Sequence, residues 1–245
     1  MINNNTAIIT GGSRGIGRSI ALELCKAGIA VVIGYSKDET GAEETLSLIG
    51  EMGGYAKSFK ADVSIYEEAA ALIDFTVKNF GSADILVNNA GISHIGLFMD
   101  MKEEQWNRLI DVDFKGVINC CHYILPQMLK QQKGSIINIS SIWGSSGASC
   151  EAVYSAAKGA VNSFTKALAK EMGPSNIRVN AIAPGVIDTE MNRWLSEAEK
   201  QSLLEDIPMS SFGSAEDIGK LAVFLAGDSS RYITGQIITV DGGLI

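Results

Sequence analysis

Residues 6–28 constrain the fold more than any other stretch of this chain. A short apolar run, Thr6-Ala-Ile-Ile-Thr10, meets a glycine-rich turn, Gly11-Gly-Ser-Arg-Gly15-Ile-Gly17, with nothing between them. Apolar residues then recur at helical spacing from Arg18 to Ala27, and Gly28 is suited to a C-terminal cap. The order is strand, glycine turn, helix. Glycines permit positive φ and let the backbone approach a pyrophosphate, whose charge the helix N-terminus favours. Gly11, Ser13, Arg14, Gly15, Ile16 and Gly17 are therefore candidate cofactor contacts. The spacing is G-x-x-x-G-x-G and not the commoner G-x-G-x-x-G, so a plain tight turn competes with the phosphate-binding reading.

The same alternation continues to the end of the chain. Ala30–Lys37 is a second strand with its exit, Glu39–Met52 a polar amphipathic helix, and Tyr55–Lys60 a third strand. A helix follows over 65–79, then a strand, Ile85-Leu-Val-Asn88, and the turn Asn89-Ala-Gly91. Lys102–Lys130 reads as one long helix, broken in character around Gly116 and Pro126. Strands at 135–141, 177–183 and 236–243 alternate with helices after Tyr154 and over Ala215–Ala226. The pattern predicts an α/β protein, a doubly wound parallel sheet in one domain over 1–245. Its dinucleotide-binding half spans roughly 1–91 and the catalytic part roughly 92–245. The polar stretch at roughly 188–211 is a candidate substrate lid.

Two sites along these strands bear on the cofactor. A carboxylate at the exit of the second strand would bind a ribose 2′-hydroxyl and repel a 2′-phosphate. This chain has Tyr35, Ser36 and Lys37 there, with Asp38 just beyond. Arg14 and Lys37 together can neutralise a 2′-phosphate, which favours NADPH over NADH; solvated surface cations are the competing reading. At the end of the third strand, Asp62, beside Val63, can accept from an adenine amine or cap the next helix, for which Ser64 is better placed. Asn88 and Asn89 can satisfy backbone groups in their turn, with Ala90 beside them, and Gly91 can admit a cofactor ribose.

The composition excludes several other classes. The chain has 20 Lys and Arg against 28 Asp and Glu, a formal charge of −8, which disfavours nucleic acid and anionic membranes as partners. No apolar run reaches the ~18 residues of a membrane span. The N-terminus lacks the basic and apolar regions of a signal peptide, so a cytoplasmic setting is expected. Cys25, Cys120, Cys121 and Cys150 form no Cys-x-x-Cys pair and do not cluster with His94 or His122. They read as reduced packing thiols, and no metal site is expected.

Tyr154 and Lys158 lie four residues apart in a helix-forming stretch, hence one above the other on one face. An ammonium one turn from a phenol favours the phenolate and lowers the tyrosine pKa toward the working range. Tyr154 can then donate a proton to a carbonyl oxygen becoming an alkoxide. Ser141, thirteen residues earlier at the end of the fifth strand, can hydrogen-bond the same oxygen. A lone Tyr-x-x-x-Lys is more often surface decoration, and its weight here comes from the other motifs.

Together these motifs resemble the short-chain dehydrogenase/reductase family over the whole chain. They run from Thr10-Gly-Gly-Ser-Arg-Gly-Ile-Gly17 through Asn88-Asn-Ala-Gly91, Ser141, Tyr154-x-x-x-Lys158 and Pro184-Gly185 to Val240-Asp-Gly-Gly. The resemblance implies a Rossmann-type, three-layer, seven-stranded parallel sheet, usually in a homotetramer. It implies Tyr154 as proton donor, Ser141 on the carbonyl, and Lys158 on the nicotinamide ribose. Pro184, Gly185 and Ile187 would contact the cofactor, with Thr189 near its nicotinamide end. Within the family the chain is similar to bacterial 3-oxoacyl-acyl-carrier-protein reductases, and more narrowly to elongation factor P 5-aminopentanone reductases. The implied activity is NADPH-dependent reduction of a ketone, free or carrier-bound, to a secondary alcohol.

Two departures stand out. The family's fourth catalytic residue is an Asn that holds a water beside the lysine, and this chain has Asp113 at that position. An aspartate keeps the acceptors and loses the amide donor, which also admits a cofactor-binding protein with little turnover. Two basic positions that help dock an acidic carrier correspond here to Gln132 and Ser175, with Lys133 and Arg178 close enough in sequence to substitute. Glu151 and the lid carboxylates Glu190, Glu197, Glu199, Glu205 and Asp206 either form a solvated acidic surface or favour a cationic ketone.

Overall fold

The computed structural model describes residues 5–190 and 196–245. Seven parallel strands form one sheet in the order β3-β2-β1-β4-β5-β6-β7: β1 (Thr6–Thr10), β2 (Ala30–Tyr35), β3 (Ala56–Lys60), β4 (Ile85–Asn88), β5 (Gly134–Ile139), β6 (Ile177–Pro184) and β7 (Ile237–Val240). The expected doubly wound, three-layer α/β architecture is the one observed.

Strand side chains alternate between two apolar layers, as the period of two requires. Ile8, Val32, Leu86 and Ile136 point to one face, where α3 (Tyr66–Phe80), α5 (Gly116–Gln131) and α7 (Ala152–Met172) cover them. Ile9, Ile33, Val87 and Ile137 point to the other, packed by α1 (Gly15–Lys26) and α9 (Ala215–Ala226), with Ile49 of α2 (Glu39–Glu51). Each central strand is thus buried on both sides, which explains its continuous apolar run.

The chain winds outward in both directions from β1, whose neighbours are β2 and β4. That reversal opens a crevice at the carboxyl ends of β1 and β4. Thr10 closes its floor, its hydroxyl accepting from the Asn89 and Ala90 N–H groups at 3.0 Å each. The Asn89 amide donates to the Thr10 and Gly11 carbonyls, also at 3.0 Å. Asn88, expected in the same role, points into the interior and donates to Asn138 Oδ1 at 2.8 Å.

Two other local expectations change. The 102–130 helix is α4 (Glu103–Ile110) and α5 joined by a π-helical stretch, Asp111–Lys115. The irregularity is therefore an inserted wide turn, which re-aims Asp113, while Pro126 sits inside α5 without ending it. Neither Asp62 nor Ser64 caps α3, which begins after Ile65 without a side-chain cap.

In the proposed lid, α8 (Glu197–Asp206) follows a capping box between Ser196 and Glu199. Residues 191–195 of that lid lie outside the described residues.

Candidate active site

A cleft of about 950 Å³ opens at the carboxyl ends of the strands. Every candidate cofactor and catalytic residue named from the sequence lines it: Gly11, Ser13 to Gly17, Tyr35 to Lys37, Asp62, Val63, Asn89 to Gly91, Asp113, Ser141, Tyr154, Lys158, Pro184, Gly185, Ile187 and Thr189.

One end suits a dinucleotide. α1 starts at Gly15 with neither a capping side chain nor an acidic residue in its first turn, leaving its N–H groups open to an anion. A Cβ on Gly17 would collide with the Gly11 carbonyl and the Asn89 amide, which explains that glycine by close packing. Gly15, at φ +54°, has only Thr189 near it, at 3.8 Å, so the turn faces open space. Asp38 does not offer its carboxylate to a ribose: it accepts from Gly41 N–H at 3.1 Å and caps α2. Lys37 is exposed, and Arg14 pairs with Glu190 at 3.2 Å across the mouth of the cleft.

Asp62 is engaged by a residue that sequence reasoning missed. Arg108, on α4, donates to Asp62 Oδ2 and to Ser64 Oγ at 2.7 Å each. Burial pulls the Asp62 carboxyl upward, but hydrogen bonds from Ser64 and Arg108 outweigh it and hold the group below its usual range. Any contact to an adenine amine has to share that carboxylate.

At the other end, Tyr154, Lys158, Ser141 and Asp113 converge. α7 carries the first two one turn apart, with the Lys158 ammonium 5.5 Å from the centroid of the Tyr154 ring. Ser141, just past β5, lies near enough to the Tyr154 phenol to pull its pKa down, and its hydroxyl accepts from Trp143 N–H at 3.2 Å. Lys158 Nζ donates to the Ile139 carbonyl at 3.1 Å and lies 3.1 Å from Asp113 Oδ2. Asp113 Oδ1 accepts from Ile92 N–H at 2.8 Å. This ion pair is dry, with side-chain exposures of 5% for Lys158 and 0% for Asp113. A Cβ at Gly91 would meet Asp113 Oδ2 at 2.9 Å and the Lys158 ammonium at 3.4 Å, so Gly91 also makes room for the pair.

The electrostatics correct one expectation. Burial is the largest influence on Tyr154 and pushes it up; Lys158 and Ser141 pull it down, while Asp113 and Glu151 add to the rise. The balance is upward, not toward neutrality. Burial lowers Lys158, but Asp113 and Tyr154 overcome this and raise it. Asp113 is pushed up by burial against the pull of Lys158 and the Ile92 N–H.

Other expected charges lie elsewhere. Gln132 and Ser175 sit just before β5 and β6, at the amino ends of the strands and away from the cleft. Arg178 cannot substitute there, because its guanidinium is bound to the Leu225 carbonyl at 2.6 Å and to those of Ala226 and Gly227. Of the candidate acidic residues, Glu151 and Glu190 line the cleft; Glu197 pairs with Lys200 and Glu199 caps α8. No group of His, Cys, Asp or Glu among the described residues could hold a metal.

Comparison with known proteins finds relatives over the whole chain. Residues 11–245 match the family model described as Enoyl-(Acyl carrier protein) reductase. The chain is 44% identical to the 3-oxoacyl-[acyl-carrier-protein] reductase FabG of Staphylococcus epidermidis, over 98% of this chain and 99% of that one. It is 41% identical to FabG of Chlamydia trachomatis, over 100% of this chain and 98% of the relative. A crystal structure from Sinorhizobium meliloti, assigned as a short-chain alcohol dehydrogenase, superposes with a TM-score of 0.94 at 37% identity, covering 98% of this chain and 96% of the other.

Proposed function

The chain belongs to the short-chain dehydrogenase/reductase family, and on that premise we propose that it is an NADPH-dependent reductase converting a 3-oxoacyl thioester, or a related ketone, to a secondary alcohol. The observation that carries this reading is the convergence of Ser141, Tyr154 and Lys158 in the cleft that also receives the open N-terminus of α1. NADPH supplies the hydride. Ser141 holds the carbonyl oxygen, and Tyr154 gives it a proton as negative charge develops there. Lys158 holds the nicotinamide ribose and opposes the upward push of burial on Tyr154. Asp113 anchors Lys158 and, through Ile92 N–H, the loop beside the substrate end. Arg14 and Lys37 neutralise the 2′-phosphate, with Asp38 already committed to capping α2.

A second reading is reduction of an aminopentanone carried on elongation factor P, favoured by the chain's net charge of −8, which makes it a poor partner for an acidic carrier protein. No helix among the described residues is long and apolar enough to cross a membrane, and a cytoplasmic setting accompanies the proposal. A homotetramer is part of it too. Its support is exposed apolar surface at Ile110, Ile118 and Leu129 along α4–α5, at Phe224 on α9, and at Tyr232 between α9 and β7.

Mixing the protein with NADPH and acetoacetyl thioester and following nicotinamide absorbance tests the reading. Steady oxidation of NADPH with formation of the 3-hydroxy product is expected. Tight NADPH binding with no turnover on any ketone would favour the alternative of a cofactor-binding protein with little turnover.

A further inference from the structure

One ion pair joins the two walls of the cleft. Arg14 Nη1 lies 3.2 Å from Glu190 Oε2, a contact between residues 176 apart in the chain, and both line the cleft. Arg14 belongs to the glycine turn after β1 and stands at the N-cap of α1, where its side chain caps nothing. Glu190 belongs to the segment that leaves β6. Gly185 N–H donates to the Val240 carbonyl at 2.9 Å, Ile187 bridges to Gly213, and Asp188 N–H donates to the Gly213 carbonyl at 2.9 Å. That segment is pinned as far as Asp188, and Thr189 then lies beside Gly15, which brings the Glu190 carboxylate to the guanidinium.

The order of the sheet gives this contact a direction. β2, whose exit carries Lys37, flanks β1 on one side, while β4, β5 and β6 lie on the other. A 2′-phosphate shared by Arg14 and Lys37 sits on the β2 side of the glycine turn. Glu190 arrives from the β6 side and draws the guanidinium toward that wall. Two anions on opposite flanks therefore compete for one cation. A guanidinium has donors for both, but carboxylate and phosphate are like charges, and each weakens the other's hold when they share it. Asp38, next to Lys37, already caps α2, so the carboxylate that touches the shared cation is Glu190. The side chains of the pair are 63% and 44% exposed, so it is a weak contact. A phosphate monoester, with a charge of about −1.5 to −2 at pH 7, is the stronger competitor.

We propose that Glu190 is a specificity residue for the cofactor: its carboxylate competes with the ribose 2′-phosphate for Arg14 and restrains the preference for NADPH over NADH. The proposal rests on the assignment of the 2′-phosphate to Arg14 and Lys37, and adds the residue that opposes it. NADH carries a hydroxyl at that position and leaves the Arg14–Glu190 pair in place. NADPH exchanges one anion on Arg14 for another. What the phosphate gains is the difference between two contacts, and so is smaller than its contact alone.

Dissociation constants for NADPH and NADH, measured by calorimetry in the wild type, Glu190→Gln, Arg14→Ala and the double variant, test this. Glu190→Gln should tighten NADPH about two- to fivefold, the range that one exposed ion pair allows, and leave NADH unchanged. The gain should shrink at high salt. In the Arg14→Ala background the same substitution should give little of it, because the two residues act as a coupled pair. Unchanged NADH affinity reports that each variant is folded. A ratio of NADPH to NADH affinity that stays the same or falls in Glu190→Gln would overturn the proposal. An equal gain with and without Arg14 would overturn it too, since Glu190 would then act on the phosphate through charge alone. No turnover is needed, so the ratio decides the proposal whether or not a ketone is reduced. Failure to bind either cofactor would refute the cofactor reading itself, and the proposal with it.

Discussion

Replacing Asp113 by Asn should move the pH profile of the reaction in a direction the structure fixes. Asp113 Oδ2 lies 3.1 Å from the Lys158 ammonium, which is 5.5 Å from the Tyr154 ring centroid, and both members of the ion pair are buried. A carboxylate charge roughly 8 Å from the phenol, at an effective dielectric constant of about 20–30, opposes phenolate formation by about 1.4–2 kcal/mol. That corresponds to about one pKa unit or slightly more. Asn removes the charge and keeps an acceptor for Ile92 N–H, so the tyrosine's pKa should fall by about one unit. Tyr154 must be protonated to act as the acid. Reduction is therefore fast below its pKa and lost as pH rises through it, and this limb should shift to lower pH in Asp113→Asn. The assay is the pH dependence of kcat/KM in both proteins, with a solvent isotope effect showing that proton transfer is being observed. Superimposable profiles would refute an ionised Asp113, and an upward shift would reverse the sign of the argument.

Other expectations follow from the same geometry. NADPH should bind at least about tenfold more tightly than NADH by calorimetry, and Arg14→Ala with Lys37→Ala should erase most of the difference; equal constants in the wild type would contradict the 2′-phosphate assignment. Gly17→Ala drives a Cβ into the Gly11 carbonyl and the Asn89 amide, so cofactor affinity should fall at least tenfold, with stability lowered by about 1–3 kcal/mol. Sedimentation equilibrium should give a mass near four chains, and charged substitutions at Ile118 and Leu129 should reduce it; a concentration-independent monomer would remove the tetramer proposal.

What could be read from the sequence divides along physical lines. Continuous apolar runs such as Thr6–Thr10 and Ser135–Ile139, each followed by helical periodicity, leave little choice but a parallel sheet covered on both faces. Tyr154 and Lys158 are readable because a helix fixes the relation of residues four apart. Arg108 and Asp62 are 46 residues apart, and only the packing of α4 against the end of β3 brings them together. The π-helical stretch that aims Asp113 at Lys158 depends on one additional residue in a turn, for which helical periodicity carries no signal. Burial likewise escaped the sequence. The ammonium's effect on Tyr154 has the expected sign, but desolvation, which needs the whole fold, is larger. Gln132 and Ser175 lie at the starts of their strands and the cleft at the ends, so nearness in the chain to catalytic segments misled.

The central claim is that Tyr154 delivers the proton in an NADPH-dependent ketone reduction. The most direct test is kcat/KM with acetoacetyl thioester or an amino ketone for the wild type and for Tyr154→Phe, alongside NADPH affinity for each. Loss of the phenolic hydroxyl should cost about 10²–10⁴-fold in kcat/KM with NADPH affinity changed by no more than a few fold. A Tyr154→Phe enzyme that retains wild-type turnover would contradict the account.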